Sequence, residues 1–297
     1  MNQHAAVEPA PAKTYQKSST PTQVDFTRPA GEEAFYAPDS IQWRIFKNNV
    51  ALAIGGVAAV LLEFADARIR SGVWDHSIYP VDPIGRSQRT GMAAMLGVYG
   101  PRSVARQVIA GVGRMHAKVS GTTPKGEAYK ALDPELLDWV SATAQYGFST
   151  AYDRYVHRLS DAEKHAFWNN GDEVARLYGV TEIPHSEAEF LTMMERLVPR
   201  FEAHQINIDF LEIVASGKAR PEIPSFIHRA MARAAVSILP PIVRQKLELG
   251  REWDISLPEK MLVRFFGRVA DRKIDPESPA YQAALRLGLP GDTAWKK

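Results

Sequence analysis

The sequence predicts an all-α fold, with a single multi-helix domain over residues 35–297 and a flexible tail over residues 1–34. Three observations favour this class. Helix-start signals recur along the chain, glycines stand where the helices should end, and alternating β-branched runs are nearly missing. The balance of 45% hydrophobic and 24% charged residues is ordinary for a globular protein.

Residues 1 to about 35 are rich in Ala, Pro, Thr, Ser and Gln and lack periodicity, which predicts the flexible tail. Asp39 or Ser40 is expected to cap the first helix. The next apolar run covers residues 50–65 and includes Glu63 near its end. It is shorter than the ~20 apolar residues of a membrane-spanning helix. We therefore predict a buried core helix, and peripheral membrane contact stays open.

Later helices are marked by their ends. An N-cap precedes proline at Asp82-Pro83, Asp133-Pro134 and Ser278-Pro279. The capping-box spacing occurs at Ser160–Glu163, Ser186–Glu189 and Ser256–Glu259. Helix ends are predicted at Gly100, Gly121, Gly179 and Gly288.

Several large apolar side chains are assigned to the core. The helix after Asp133 carries a wide apolar face that includes Trp139 and Tyr146, for which core packing is the first interpretation and a pocket wall the second. The pairs Met193-Met194 and Phe265-Phe266 are also expected in the core.

One histidine, His116, falls on the apolar side of a predicted helix that ends at Gly121. At about 100° per residue it lies between Ile109 and Val112, within an arc that continues to Val119. A neutral imidazole facing an apolar cavity suits an axial haem ligand. The alternative is a core histidine that is hydrogen-bonded to a carbonyl.

Arg86 and Thr90 are four residues apart, so both project from one face of the helix after Asp82. With the small residues Ala94 and Gly97 further along, this face leaves room beside a flat ligand. The alternative is a solvated arginine and a hydroxyl that bonds back to its own helix.

Composition excludes several classes. With no cysteine there is no disulfide, thiolate haem ligand or cysteine-held cluster, and a reducing, cytoplasmic location is expected. A net charge of +2 without a dense basic block predicts no nucleic-acid binding. Sequence motifs for zinc proteases, serine hydrolases, dinucleotides and phosphate loops are absent, and we see no signal peptide.

Taken in order, the motifs resemble a domain-of-unknown-function group that includes the rubber oxygenase (latex-clearing protein) and the mycophenolic-acid-pathway (mpaB) oxygenase. The most specific stretch is GEAYKALDPELLDWV at residues 126–140. The other matching segments are residues 37–44, Gly72-Val73 with His76-Ser77, residues 82–86 with Arg89-Thr90, and residues 116–121 and 239–244.

This resemblance implies an all-α fold that holds haem b between helices. The histidine of its His-x-x-Val-x-Gly motif is the proximal iron ligand, which is His116 here, and its Arg-x-x-x-Thr motif places Arg86 and Thr90 near the haem. It implies a haem-dependent oxygenase that uses dioxygen on an apolar substrate, such as an isoprenoid or unsaturated lipid. Arg86 would pair with a haem propionate or polarise dioxygen, and Thr90 would donate a hydrogen bond.

Two positions depart from the family pattern. Arg89 replaces a lysine, and arginine stays protonated and cannot ligate iron. Ser141 replaces a histidine that many relatives carry. These departures motivate a second hypothesis, a helical haem- or lipid-binding protein without catalysis.

Overall fold

The computed structural model describes residues 24–79 and 81–296, and within them the only sheet is one short hairpin. The predicted all-α class is therefore confirmed. The helices are α1 Ile41–Phe46, α2 Asn49–Phe64, α3 Ala67–His76, α4 Pro83–Tyr99, α5 Arg102–His116, α6 Pro134–Tyr155, α7 Asp161–Asn169, α8 Asp172–Leu177, α9 Glu187–Leu197, α10 Gln205–Ser216, α11 Ser225–Ser237, α12 Pro241–Lys246, α13 Leu257–Arg272 and α14 Pro279–Arg286. The strands are β1 Ser120–Thr122 and β2 Ala128–Lys130, and single 3-10 turns cover Val198–Arg200, Arg251–Trp253 and Thr293–Trp295.

The predicted helix starts are confirmed with one difference. Ser40 caps α1, and the side chains of Asp82, Asp133 and Ser278 accept amide hydrogen bonds at the starts of α4, α6 and α14. Full capping boxes begin α7 and α13. At α9 only half of the box forms, because the Glu189 carboxylate accepts the amide of His185 (2.9 Å) instead of that of Ser186.

The centre of the fold is the crossing of α2 and α6. Gly55 and Gly147 meet there so closely that a Cβ on Gly55 would lie 2.7 Å from the Gly147 carbonyl oxygen. The predicted core helix is confirmed in α2, which buries residues along its whole length. No helix of the described chain has the length and apolar character needed to cross a membrane.

The aromatic residues of α6 pack in the core, as predicted first. Trp139 and Tyr146 both stack on Phe190 of α9 with ring planes 9° apart. The Trp139 indole donates to the Leu62 carbonyl (3.2 Å), and the Tyr146 hydroxyl donates to the Ile238 carbonyl (2.7 Å). Because their polar ends are satisfied inside the core, these residues hold helices together.

The predicted helix end at Gly121 is wrong. α5 ends at His116, and Gly121 lies in β1 opposite Tyr129 of β2. A Cβ on Gly121 would come within 2.6 Å of the Tyr129 hydroxyl, so the glycine is required by this ring. The other three predicted helix ends are confirmed, with Gly179 and Gly288 at positive φ.

The core assignment of Phe265 is also wrong. This residue of α13 is 61% exposed, whereas Met193 and Met194 are buried as predicted. Val263 and Gly267 take the inward positions of α13. Adjacent residues on a helix point about 100° apart, so an apolar pair need not be buried as a pair.

The packed chain begins before residue 35. Phe26 and Ala34 are buried, and the Arg286 guanidinium of α14 donates to the carbonyls of Phe26 (2.8 Å) and Glu32 (2.7 Å). These contacts attach residues 26–34 to the helical body. The remainder of the predicted tail, residues 1–23, lies outside the described residues.

Candidate active site

Arg86 lies one turn into α4, which Asp82 begins by accepting the amide hydrogen of Gly85 (2.8 Å). Protein encloses the guanidinium, and burial lowers the pKa of Arg86 while the nearby Glu63 carboxyl opposes that shift. The side chain nevertheless keeps accessible surface.

Glu63 lies in the last turn of α2 and has the same combination of enclosure and remaining surface. Burial raises the pKa of Glu63 to about 7, against the opposing effects of Arg86 and of a hydrogen bond with Thr143. The Thr143 hydroxyl lies 2.8 Å from the Val140 carbonyl oxygen and 3.4 Å from a Glu63 carboxyl oxygen. The Thr143 hydroxyl donates to this carboxyl oxygen, which lowers the pKa of Glu63 because a donor stabilises the ionised form.

Tyr79 adds an unpaired polar group beside these two residues. Burial raises the pKa of its phenol to about 12, and Arg86 partly offsets the shift. Among the described residues the buried Tyr79 hydroxyl has no hydrogen-bond partner. A buried polar atom without a partner is uncommon, and a bound molecule is one way to satisfy it.

His116 is the last residue of α5, and its backbone carbonyl accepts the amide of Val119 (2.9 Å). Burial and, second, the charge of Arg86 lower the pKa of His116, so the imidazole is neutral at pH 7. The residue keeps accessible surface, and its ring makes no hydrogen bond to another described residue. The alternative of a core histidine bonded to a carbonyl is therefore not what the structure shows.

The hairpin explains how the end of α5 is held. Val119 and Ala131 pair beside the strands (3.0 Å), and Tyr129 of β2 lies against Gly72 of α3. The Tyr129 hydroxyl also reaches a carboxylate oxygen of Asp75 at 3.5 Å. Gly121, the glycine of the His-x-x-Val-x-Gly motif, thus leaves room for Tyr129 in the hairpin, and the hairpin connects the end of α5 at His116 with α3.

Thr90 and Arg89 are placed differently from Arg86. Thr90 is exposed, and its hydroxyl donates to the Arg86 carbonyl (3.1 Å), which is the back-bonding predicted as the alternative. Arg89 is 19% exposed, with a guanidinium nitrogen 3.9 Å from a carboxylate oxygen of Asp82. The charge of Arg86 thus lowers the pKa of both His116 and Glu63, whereas Thr90 lies one turn further along at the surface of α4.

The described residues fit a haem in three respects. His116 offers an accessible, neutral imidazole, which is the form that ligates iron. Arg86 offers a cation for a propionate, and the orphaned Tyr79 hydroxyl offers a further hydrogen bond. In the described chain no three His, Asp or Glu side chains converge as a metal site. The porphyrin itself supplies four iron ligands, so a haem requires only one or two from the protein.

Residues 43–272 match the family described as ER-bound oxygenase mpaB/B'/Rubber oxygenase, catalytic domain. The chain belongs to this family. The matched range covers more than three quarters of the chain and contains Glu63, Arg86, Thr90 and His116. The resemblance seen in the motifs is thereby confirmed, and the family is one of oxygenases. Neither the search of curated proteins nor the search of solved structures found a match.

Glu63 and Tyr79 are the residues of the candidate site that sequence reasoning missed. The signal for Glu63 was present, since it is a single carboxyl in an otherwise apolar run. In the sequence, Glu63 indicates only that the apolar run is unsuited to span a membrane. Its approach to Arg86, twenty-three positions later, depends on how α2 and α4 pack.

Proposed function

We propose that this protein is a haem b-dependent oxygenase acting with dioxygen on an apolar small molecule, such as an isoprenoid or an unsaturated lipid. The observation that carries the proposal is the position of Arg86, whose charge acts on both His116 and Glu63. These charge effects support one site shared by a candidate iron ligand, a cation for an anionic group and a carboxyl that titrates near neutral pH.

Haem b, when bound, supplies iron for dioxygen chemistry. His116 would hold the iron through its neutral imidazole, and Arg86 would bind a propionate or polarise dioxygen. Thr90 would donate a hydrogen bond within the pocket if its hydroxyl turned away from the Arg86 carbonyl. Apolar surface around these groups would bind the substrate chain and exclude water.

Glu63 would hold or release a proton at its carboxyl group. A general acid or base works best when its pKa lies near the working pH, and the pKa of Glu63 is about 7. The Arg86 cation and the Thr143 hydroxyl donor stabilise the ionised carboxylate, whereas burial favours the protonated form. Both states are therefore accommodated.

The test is an absorption spectrum of protein isolated from haem-supplied cells, followed by a pyridine haemochrome assay. We expect a Soret band that is lost or shifted in His116→Ala. The matched control is His204→Ala, since burial also lowers the pKa of His204. An unchanged band in His116→Ala would show that the iron ligand is another group.

The second candidate is a haem- or lipid-binding protein without catalysis, which the departures at Arg89 and Ser141 favour. Ferrous protein incubated with dioxygen and unsaturated lipids separates the two. Oxygen-dependent carbonyl products support the oxygenase, whereas a haem-loaded protein that forms none across a broad set supports binding alone. For either candidate we also propose peripheral contact with a membrane, from which apolar molecules would be drawn.

A further inference from the structure

The helix α13 presents an exposed apolar row to solvent. Its members are spaced four residues apart, so they share one side of the helix. They are Leu257 (71% exposed), Met261 (64%), Phe265 (61%) and Val269 (46%). Single exposed apolar residues are normal on protein surfaces, but a contiguous row on one helix indicates a contact surface.

The opposite side of α13 packs on the protein. Val263 and Gly267 are buried, and a Cβ on Gly267 would lie 2.6 Å from the Tyr155 carbonyl oxygen. The Gly267 carbonyl accepts the side-chain amide of Asn48 (2.9 Å) at the start of α2. The helix is held by these contacts, and its apolar row is left facing outward.

Three arginines lie between the members of this row. At about 100° per residue, Arg264, Arg268 and Arg272 fall within or beside the arc of the exposed apolar side chains, and all three are exposed. Arg264 and Arg268 donate through Nε to the carbonyls of Arg154 (3.1 Å) and Val156 (3.4 Å). None of the three makes an ion pair with a carboxylate of the described chain.

The acidic residues of α13 are engaged elsewhere. Glu259 pairs with Arg233 (2.6 Å), and Asp271 pairs with the buried Lys47 (3.0 Å). Neither carboxylate therefore neutralises the outward arginines. The exposed face is apolar and positively charged at once, a combination typical of helices that lie in a membrane interface.

We propose that α13 binds the surface of an anionic phospholipid bilayer, with the Leu257, Met261, Phe265 and Val269 side chains in the acyl boundary and Arg264, Arg268 and Arg272 on the phosphates. Long arginine side chains can reach the headgroups while the helix lies in the interface. A second copy of this chain fits less well. Symmetric pairing of the face would bring the two sets of arginines together, and like charges oppose such contact.

This inference names the surface for the peripheral contact proposed above, and it does not depend on haem or catalysis. α13 contacts the first turn of α2, whereas Glu63 lies fifteen residues further along that helix, about 22 Å away at 1.5 Å per residue. The contact thus holds the protein at the membrane by a face separate from the candidate active site.

The experiment is flotation of the full chain with phosphatidylcholine vesicles and with vesicles that also contain phosphatidylserine. We expect the protein to float with the anionic vesicles only, and the bound fraction to fall in high salt. Arg268→Gln with Arg272→Gln should weaken binding about thirtyfold, at about 1 kcal/mol per arginine and 1.4 kcal/mol per tenfold change. Met261→Ser with Phe265→Ser should weaken it at least tenfold.

The matched controls lie near the opposite end of α6. Lys118→Gln with Lys130→Gln removes the same charge from exposed positions, and Leu132→Ser removes a side chain that is 44% exposed. Both should float like the parent protein. The proposal is overturned if the parent does not float with anionic vesicles, if the α13 variants float unchanged, or if α13 variants only dissociate a dimer. The Soret band of each sample, read separately, reports on the haem proposal.

Discussion

Replacing Glu63 by glutamine should remove a large part of the pH dependence of stability. Burial raises the pKa of Glu63 from 4.5 to about 7 in the folded protein. Between those values the folded state binds a proton that the unfolded state has released. The stability contributed by protonated Glu63 is therefore fully present below pH 4.5 and is lost as the pH rises through 7.

The size of the effect follows from the shift. One pKa unit corresponds to about 1.4 kcal/mol, so ionising Glu63 in the folded protein costs about 3 kcal/mol. Most of that titration lies between pH 5 and pH 8. Relative to Glu63→Gln, the parent protein should lose about 2 kcal/mol of unfolding free energy over that range.

The assay is urea unfolding followed by far-ultraviolet circular dichroism at pH 5, 6.5 and 8, with the haem content of each sample measured. The control is Glu212→Gln, at an exposed position of α10, which should keep the pH profile of the parent. If Glu63→Gln and the parent changed in parallel from pH 5 to pH 8, Glu63 would have an ordinary pKa and its assignment to an enclosed site would be refuted.

Two further predictions concern packing, both measured by urea unfolding. Gly55→Ala should lower the free energy of unfolding by about 2–3 kcal/mol, because its Cβ would press on backbone atoms of Gly147. Gly56→Ala, whose Cβ would meet only a side-chain atom at 3.9 Å, should raise it by up to about 1 kcal/mol. Equal effects of the two substitutions would contradict the close crossing of α2 and α6. Arg286→Met should lower the free energy of unfolding by about 3 kcal/mol and make residues 24–34 easier to proteolyse, because three backbone carbonyls lose their buried donor. Unchanged cleavage, or a similar loss of stability in the exposed control Arg251→Met, would contradict that role.

The sequence predicted the helices well because their ends are local. An N-cap before proline satisfies amides within the same turn, so Asp82 and Asp133 mark their helices without knowledge of any other element. A glycine does not carry the same information. Gly121 suggests a helix end in the sequence, but in the structure Tyr129 on the opposite strand requires a glycine there. A local sequence pattern does not contain such cross-strand contacts.

The candidate site could be predicted only in part for the same reason. His116, Arg86 and Thr90 lie in short motifs, and burial and, second, the charge of Arg86 lower the pKa of His116. The effect of Arg86 on the pKa of Glu63 joins residues of two different helices, and no spacing predicts it. The inward or outward side of α13 is also tertiary, since a helix with two apolar rows can bury either one, and Phe265 was placed on the wrong side.

The closely packed centre of the fold lies in α2 and α6, whereas Arg86 and His116 of the candidate site lie on α4 and α5. The α2–α6 crossing is closely packed, and most inward residues of α2 are fully buried. In α4, by contrast, only the last turn is buried, and every residue from Pro83 to Met95 keeps accessible surface. Arg86 and His116 thus lie on helices that keep accessible surface, and the charge of Arg86 acts on Glu63 of the closely packed α2. A ligand bound between α2 and the helices α4 and α5 would cover the accessible surface of α4 and α5. Haem binding should therefore slow amide exchange in those two helices more than in α2.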